Sequence, residues 1–302
     1  MIYKTTILFA ALLISISVKS QEQGKSYNDG HGKEVFLPLG DISFADQVVK
    51  FTKGEPAAIE ISSNSEDALK SPDFDGGTEG FVSLGCGGTL ILKFTDNALI
   101  NREGPDLYVF EMGKYIESTE LSISKNGLEW IAIGEIAGAK AEVDIEAFTQ
   151  PFDVFNYVRL VDLKTSCKGQ WPGADIDAVA AIGAAKRISF TGSVLFNFNE
   201  SELKPDAKKM LEDLIKEIDK TPLANILVEG YTDSLGTKEF NKNLSLARAE
   251  AVKNVLRKKL SDKSYTIDAR GLGASNPLFS NNTKEGQEKN RRVEIILIPV
   301  KK

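Results

Sequence analysis

Asp233, Asn241 and Arg248 are the side chains whose types and spacing could do chemistry. Asp233 lies in Gly230-Tyr-Thr-Asp-Ser-Leu-Gly236, where the apolar run Ile226–Thr232 gives way to a turn. Asn241 and Arg248 follow, seven positions apart. On a helix that spacing is two turns, so both project from one face. Helical side chains lean back towards the N-terminus, which sends Arg248 towards the turn holding Asp233. A carboxylate, an amide and a guanidinium would then converge on a shallow pocket. That set suits a zwitterion, with Asp233 accepting from an ammonium and Arg248 forking onto a carboxylate. On spacing alone the pair is equally an ordinary surface salt bridge.

The elements that must position these residues are legible from about Arg187 onward, after the short junction Gly183-Ala184-Ala185-Lys186. Val194–Phe198 predicts a first strand. Pro205 opens a helix at a position where its missing N–H is harmless. Met210, Leu211, Leu214, Ile215 and Ile218 form the apolar stripe of that helix. Ile226–Thr232 reads as a strand, about Lys238–Lys259 as a helix with Phe240, Leu244, Ala247, Ala251 and Val255 on one face, and Tyr265–Ala269 and Arg292–Ile298 as further strands. Strands alternating with helices give an α+β sandwich.

Several short motifs then fall in order: Val194-Leu-Phe-Asn-Phe, Leu203-Lys-Pro-Asp-Ala, Gly230-Tyr-Thr-Asp-Ser-Leu-Gly and Asn241-Lys-Asn-Leu-Ser-Leu-Ala-Arg-Ala. After them come Gly271-Leu-Gly, Asn282-Thr-Lys-Glu-Gly and Asn290-Arg-Arg-Val-Glu-Ile. Together they resemble the OmpA-like C-terminal domain, also found in Pal lipoproteins and flagellar stator proteins. The resemblance spans residues 187–302 and implies a βαβαβ sandwich that binds peptidoglycan through the diaminopimelate of its peptide stem. It places Asp233 on the ligand's ammonium and Arg248 on its carboxylate, with Asn241 assisting. It makes Arg291 a candidate second carboxylate contact and Asn199 a rim residue. The sequence departs from the pattern at Tyr231, where many members have His, and at Gln287, where many have Arg.

The rest of the chain reads differently. With 302 residues, about two domains are expected. Lys4, the apolar run Ile7–Val18 and Val18-Lys19-Ser20 predict a cleaved secretory signal over residues 1–20. Residues 21–34 are polar and Gly-rich, expected as a flexible lead-in. From 35 to 183 the pattern is all-β, with runs such as Thr89–Thr95, Asp106–Met112, Glu120–Ser124, Glu129–Ile133, Tyr157–Leu163 and Asp177–Ile182 separated by turn signals. That predicts a β-sandwich or jelly roll. An integral outer-membrane β-barrel with a periplasmic anchor is the alternative, disfavoured by the lack of aromatic girdles and sustained lipid-facing alternation.

Cys86 and Cys167 both lie in this exported half, where an oxidising compartment permits a disulfide. Two buried free thiols are the other reading. Asp73, Asp75, Asp106, Asp175 and Asp177 stand in Gly-rich turns, so they are candidates for calcium or for turn capping. Trp130 and Trp171 are candidate sugar platforms or core residues. The chain has a formal net charge of −6, yet residues 187–302 are net basic, which suits an anionic polymer. No nucleophile triad, metal cluster, phosphate loop or dinucleotide fingerprint occurs, and the single His31 lies in the lead-in. The expectation is a non-enzymatic envelope protein without a required cofactor. It would sit in the periplasm or against the outer membrane of a Gram-negative bacterium, with peripheral membrane association. Its partners would be peptidoglycan and, through the N-terminal domain, a glycan or an envelope protein, with no nucleic acid.

Overall fold

The computed structural model describes residues 24–69, 71–73, 77, 79–112, 117–137, 141–150, 152–218, 224–260 and 265–299. The expected signal segment and Asp75 lie outside the described residues.

Part of the expected lead-in is ordered as a hairpin, β1 (Lys25–Asn28) paired with β2 (Glu34–Leu37). Its polar composition hides three apolar side chains, Tyr27, Val35 and Leu37, that are buried against Tyr108 and Phe110. Asp29 closes the turn by accepting from the N–H groups of His31 and Lys33 and from Tyr108 Oη at 2.8–2.9 Å.

Two antiparallel sheets follow. The first contains β3 (Gln47–Thr52), β5 (Thr89–Lys93), β8 (Thr119–Ser124), β9 (Ile131–Ile136) and β11 (Tyr157–Asp162), in the order β3-β5-β11-β8-β9. The second contains β4 (Val82–Ser83), β7 (Leu107–Glu111), β10 (Glu142–Val143) and β12 (Asp175–Ala181), in the order β10-β7-β12-β4. Alternating residues of both sheets, among them Leu90, Leu92, Leu121, Val158, Val109 and Val179, form one shared core. Both sheets are open and neither closes into a barrel. Among the described residues no helix is long and apolar enough to cross a membrane.

The C-terminal sheet has five strands, ordered β15-β14-β16-β13-β6. They are β15 (Ile267–Gly273), β14 (Ala224–Tyr231), β16 (Arg292–Pro299), β13 (Ala184–Thr191) and β6 (Asn97–Leu99). Two sequence expectations change here. Ala184–Lys186, which reads as a junction, belongs to the first strand. Val194–Phe198 is not that strand: α1 (Gly192–Leu195) occupies its start, and Phe196 makes only an isolated bridge to Leu203. The outermost strand, β6, comes from the N-terminal domain and pairs with β13.

Helices α2 (Pro205–Ile218) and α3 (Lys238–Lys259) cover one face, where Leu211, Ile215, Val252 and Leu256 meet Ile226, Val228, Val293 and Ile295. Thr237 caps α3 by accepting from Phe240 N at 3.1 Å. The helix lies so close to the sheet that a Cβ on Gly230 would overlap the Ser245 carbonyl oxygen. The opposite face docks on the N-terminal domain, with Leu227, Ile296 and Ala185 against Ala98, Ile100 and Val154.

Candidate functional site

All five residues singled out in the C-terminal domain line one cleft at the ends of β14 and β16. The cleft encloses about 350 Å³ including its open mouth. Asp233 follows β14 immediately and is 5% exposed. Its Oδ1 accepts from Leu235 N at 3.0 Å, the local bond of an Asx turn. Asn241, in the first turn of α3, donates through Nδ2 to the Asp233 main-chain oxygen at 3.3 Å. Asn199 sits exposed on the rim with φ +56, a left-handed conformation that Asn tolerates.

The cations are arranged differently from the helix-spacing expectation. Arg291 Nη1 makes the ion pair with Asp233 Oδ2, at 2.5 Å. Arg248 is 4% exposed and turns to the loop after α1. Its Nε donates to Glu200 O at 2.9 Å and its Nη2 to Asn197 O at 3.5 Å. Its guanidinium lies 5.2 Å from the Phe196 ring centroid. Burial pushes the Arg248 pKa below its ordinary value; Arg291 adds to this and Asp233 opposes it. The pocket therefore holds one carboxylate flanked by two guanidiniums, an arrangement that favours a ligand presenting both an ammonium and a carboxylate.

The sequence reading misses the apolar rim. Phe198, Leu235 and Phe240 line the cleft and are 76%, 57% and 47% exposed. Phe198 reads as the end of a strand and Phe240 as part of the apolar face of α3, and both stand in solvent instead; Leu235 has no signal beyond being apolar in a turn. At the two departures from the family pattern the roles are structural. Tyr231 is buried and donates to Glu229 Oε2 at 2.8 Å. Gln287 Nε2 donates to Asn281 O at 2.7 Å, and Asn281 Oδ1 accepts from Ser234 N beside Asp233.

In the N-terminal domain the candidate carboxylates act mainly as turn anchors. Asp106 accepts from Arg102 N at 2.6 Å and Ile145 N at 3.1 Å, and burial lifts its pKa to about 6. Asp177 accepts from Asp73 N at 3.2 Å. Asp175 is buried and its pKa is lifted to about 7 by burial. Glu111, which closes the run that begins Gly104-Pro-Asp106, is 4% exposed and accepts from Glu117 N at 2.8 Å. Burial drives its pKa far above the glutamate range, with Glu117 and Asp175 as anionic neighbours. Among the described residues no group of three or more His, Cys, Asp or Glu side chains is disposed to hold a metal ion. Cys86 and Cys167 form a disulfide, Cα atoms 5.1 Å apart. Trp171 donates to Ser62 Oγ at 3.1 Å and is 36% exposed, while Trp130 stacks with Arg159 at 4.7 Å.

Residues 195–291 match the OmpA family, so the C-terminal region is an OmpA-family domain. Outer membrane protein A of Bordetella avium is 37% identical over 118 residues, 39% of this chain and 60% of that protein. The outer-membrane lipoprotein YfiB of Pseudomonas aeruginosa is 36% identical over 107 residues, 35% of this chain and 63% of that protein. The chain thus spans less than two thirds of either relative. Among solved structures, the peptidoglycan-associated lipoprotein from Burkholderia pseudomallei is 27% identical, with a TM-score of 0.31, over 34% of this chain and 87% of that one.

Proposed function

We propose that this is an exported envelope protein that holds peptidoglycan non-covalently, its C-terminal pocket taking the diaminopimelate of the peptide stem. The observation that carries the reading is the convergence of Asp233, Asn241, Arg248 and Arg291 in one cleft of an OmpA-family domain. The stem residue is a zwitterion at its free end. Its ammonium displaces Arg291 from Asp233, and its carboxylate is received by the two guanidiniums. Each charge-assisted bond contributes about 1.5–3 kcal/mol. The apolar rim of Phe198, Leu235 and Phe240 keeps water from the ion pairs, which strengthens them.

The relatives' names place them in the outer membrane, which supports an envelope location with peripheral attachment. The N-terminal sheets, read as a jelly roll, bind a glycan or an envelope protein, and neither domain is catalytic. The test is a pull-down of the full chain with purified sacculi, wild type beside Asp233→Ala and Arg248→Ala, with free diaminopimelate as competitor. Wild type pellets, and either mutation or the competitor releases it. Retention of both variants on the sacculus would remove this site assignment.

A further inference from the structure

Arg187 belongs to the pocket's own sheet but spends its hydrogen bonds on the other domain. It is 8% exposed. Its Nη1 donates to Phe94 O at 3.3 Å and its Nη2 donates to Asn156 Oδ1. Its main-chain N donates to Asp96 O at 2.9 Å. Phe94, Asp96 and Asn156 all lie in the N-terminal domain. On its other side, Nε forms an ion pair with Glu294 Oε2 at 3.2 Å.

The chain of contacts continues to the pocket floor. Glu294 Oε1 accepts from Arg292 Nε at 2.6 Å. Arg292 donates to the carbonyls of Asn290 at 3.3 Å and Asn276 at 3.1 Å, and lies 3.7 Å from the Tyr231 ring centroid. Asn290 then ties down Leu278 N and Phe279 N and donates to Asn281 Oδ1. Arg292 therefore fixes both neighbours of the ion pair: the segment carrying Arg291, and Tyr231, two residues before Asp233.

Lys93, from β5, adds a third cation to this layer, with Arg292, Arg187 and Glu294 as its charged neighbours. Glu229 is the second carboxylate, beside Glu294 and bonded to Tyr231. Arg187, Lys93, Arg292, Glu229 and Glu294 are each 8% exposed or less. Buried ions are costly unless paired, so each member constrains the next. With Arg187 absent, Glu294 Oε2 loses its ion-pair partner, and Arg292, whose Nε already holds Oε1, can bring a second N–H to it only by releasing the Asn276 or Asn290 carbonyl.

We propose that Arg187 is a positioning residue for the Asp233–Arg291 pocket, acting through Glu294 and Arg292, and that the N-terminal domain sets the pocket's geometry by holding Arg187. The covering domain is thus part of the binding machinery rather than a passenger on it. Only the binding arm of the test rests on the peptidoglycan reading.

The experiment is hydrogen–deuterium exchange of the ligand-free full chain over residues 276–291, run beside the sacculus pull-down. Four forms are compared: wild type, Arg187→Met, Arg187→Lys and Leu227→Ala. Leu227 packs in the same domain interface but outside the charged layer, so its variant reports a loss of interface packing alone. The expected result is at least tenfold faster exchange over 276–291 in Arg187→Met, with Arg187→Lys close to wild type and Leu227→Ala unchanged in that segment. Wild-type protection in a folded Arg187→Met, or an equal loss in Leu227→Ala, overturns the proposal. If exchange follows the expected pattern while no form pellets, the peptidoglycan reading fails and the positioning role stands.

Discussion

Arg291 Nη1 lies 2.5 Å from Asp233 Oδ2, a contact made across 58 residues of sequence. Arg248, which helix spacing aims at the same carboxylate, is instead held by the carbonyls of Glu200 and Asn197. The two arginines consequently differ in what they do for the pocket. Arg291 balances its charge, and Arg248 fastens the loop after α1 to α3.

That difference separates two substitutions. Arg291 keeps a quarter of its side chain in solvent but Asp233 is buried, so Arg291→Ala leaves that carboxylate to its Leu235 N bond and costs about 1 kcal/mol of stability, the low end for an unpaired buried group. Arg248→Ala removes a buried charged donor from the Glu200 and Asn197 carbonyls and costs about 1–3 kcal/mol. Urea melts of both variants check this, and sacculus binding falls at least tenfold in each. Equal melting midpoints would show that Arg248 carries no structural load.

Stability depends on pH through Glu111. Its folded form holds its proton well above the ordinary glutamate range. The folded state therefore binds more protons than the unfolded chain over that window, and stability falls as pH rises through it. Glu111→Gln removes the penalty. It raises stability by at least ~1 kcal/mol at pH 8 and leaves it nearly unchanged at about pH 3, where both states are protonated. Thermal melts at the two pH values measure the difference. A rise of equal size at both pH values would point to packing rather than charge.

The Cys86–Cys167 bridge closes a loop with a sequence separation of 81. Constraint of the unfolded chain at that length is worth about 2–5 kcal/mol. The double Ser variant, melted without reductant, loses that amount relative to the oxidised protein. Wild type melted with reductant reproduces the loss.

Gly230→Ala drives a methyl group into the Ser245 carbonyl oxygen. The helix must lift from β14 or the strand must bend, costing about 1–3 kcal/mol. Since Asp233 and Asn241 ride on those two elements, sacculus binding is lost with the fit of α3, even at temperatures where circular dichroism reports a folded chain.

How far the sequence reaches depends on how local the determinant is. Asp233, Asn241 and Arg248 are legible because one turn and one helical period place them. Helix α2 is legible from Pro205 and its apolar stripe; α3 is legible as a helix, but its buried face of Asn241, Ser245, Arg248, Ala249, Val252 and Leu256 is rotated from the expected stripe of Phe240, Leu244, Ala247, Ala251 and Val255. The strands around Leu90, Val109, Leu121, Val158 and Val179 follow from alternation. The Asp233–Arg291 pair is not legible, since it joins two strand ends that only the sheet order brings together. Ala184–Lys186 reads as a junction because short aliphatic residues carry little strand preference by themselves; pairing with Leu297 and with Asn97–Leu99 makes it strand. Val194 and Leu195 are apolar enough for a strand, but their backbone turns helical where Gly192 N bonds to Arg291 O. The hairpin at Lys25–Leu37 rests on three buried side chains in a polar stretch, too sparse to register as a period.

The borrowed strand β6 has a last consequence. Asn97–Leu99 occupies the outer rim of β13, whose N–H and C=O groups would otherwise face solvent in a row. Such a rim is what neighbouring molecules use to stack into aggregates. A chain trimmed to begin at Arg187 would lose β6 together with the β13 residues it pairs, baring the β16 edge at Leu297 and the apolar face of Leu227 and Ile296. Such a fragment is expected to self-associate at concentrations where the full chain stays monodisperse.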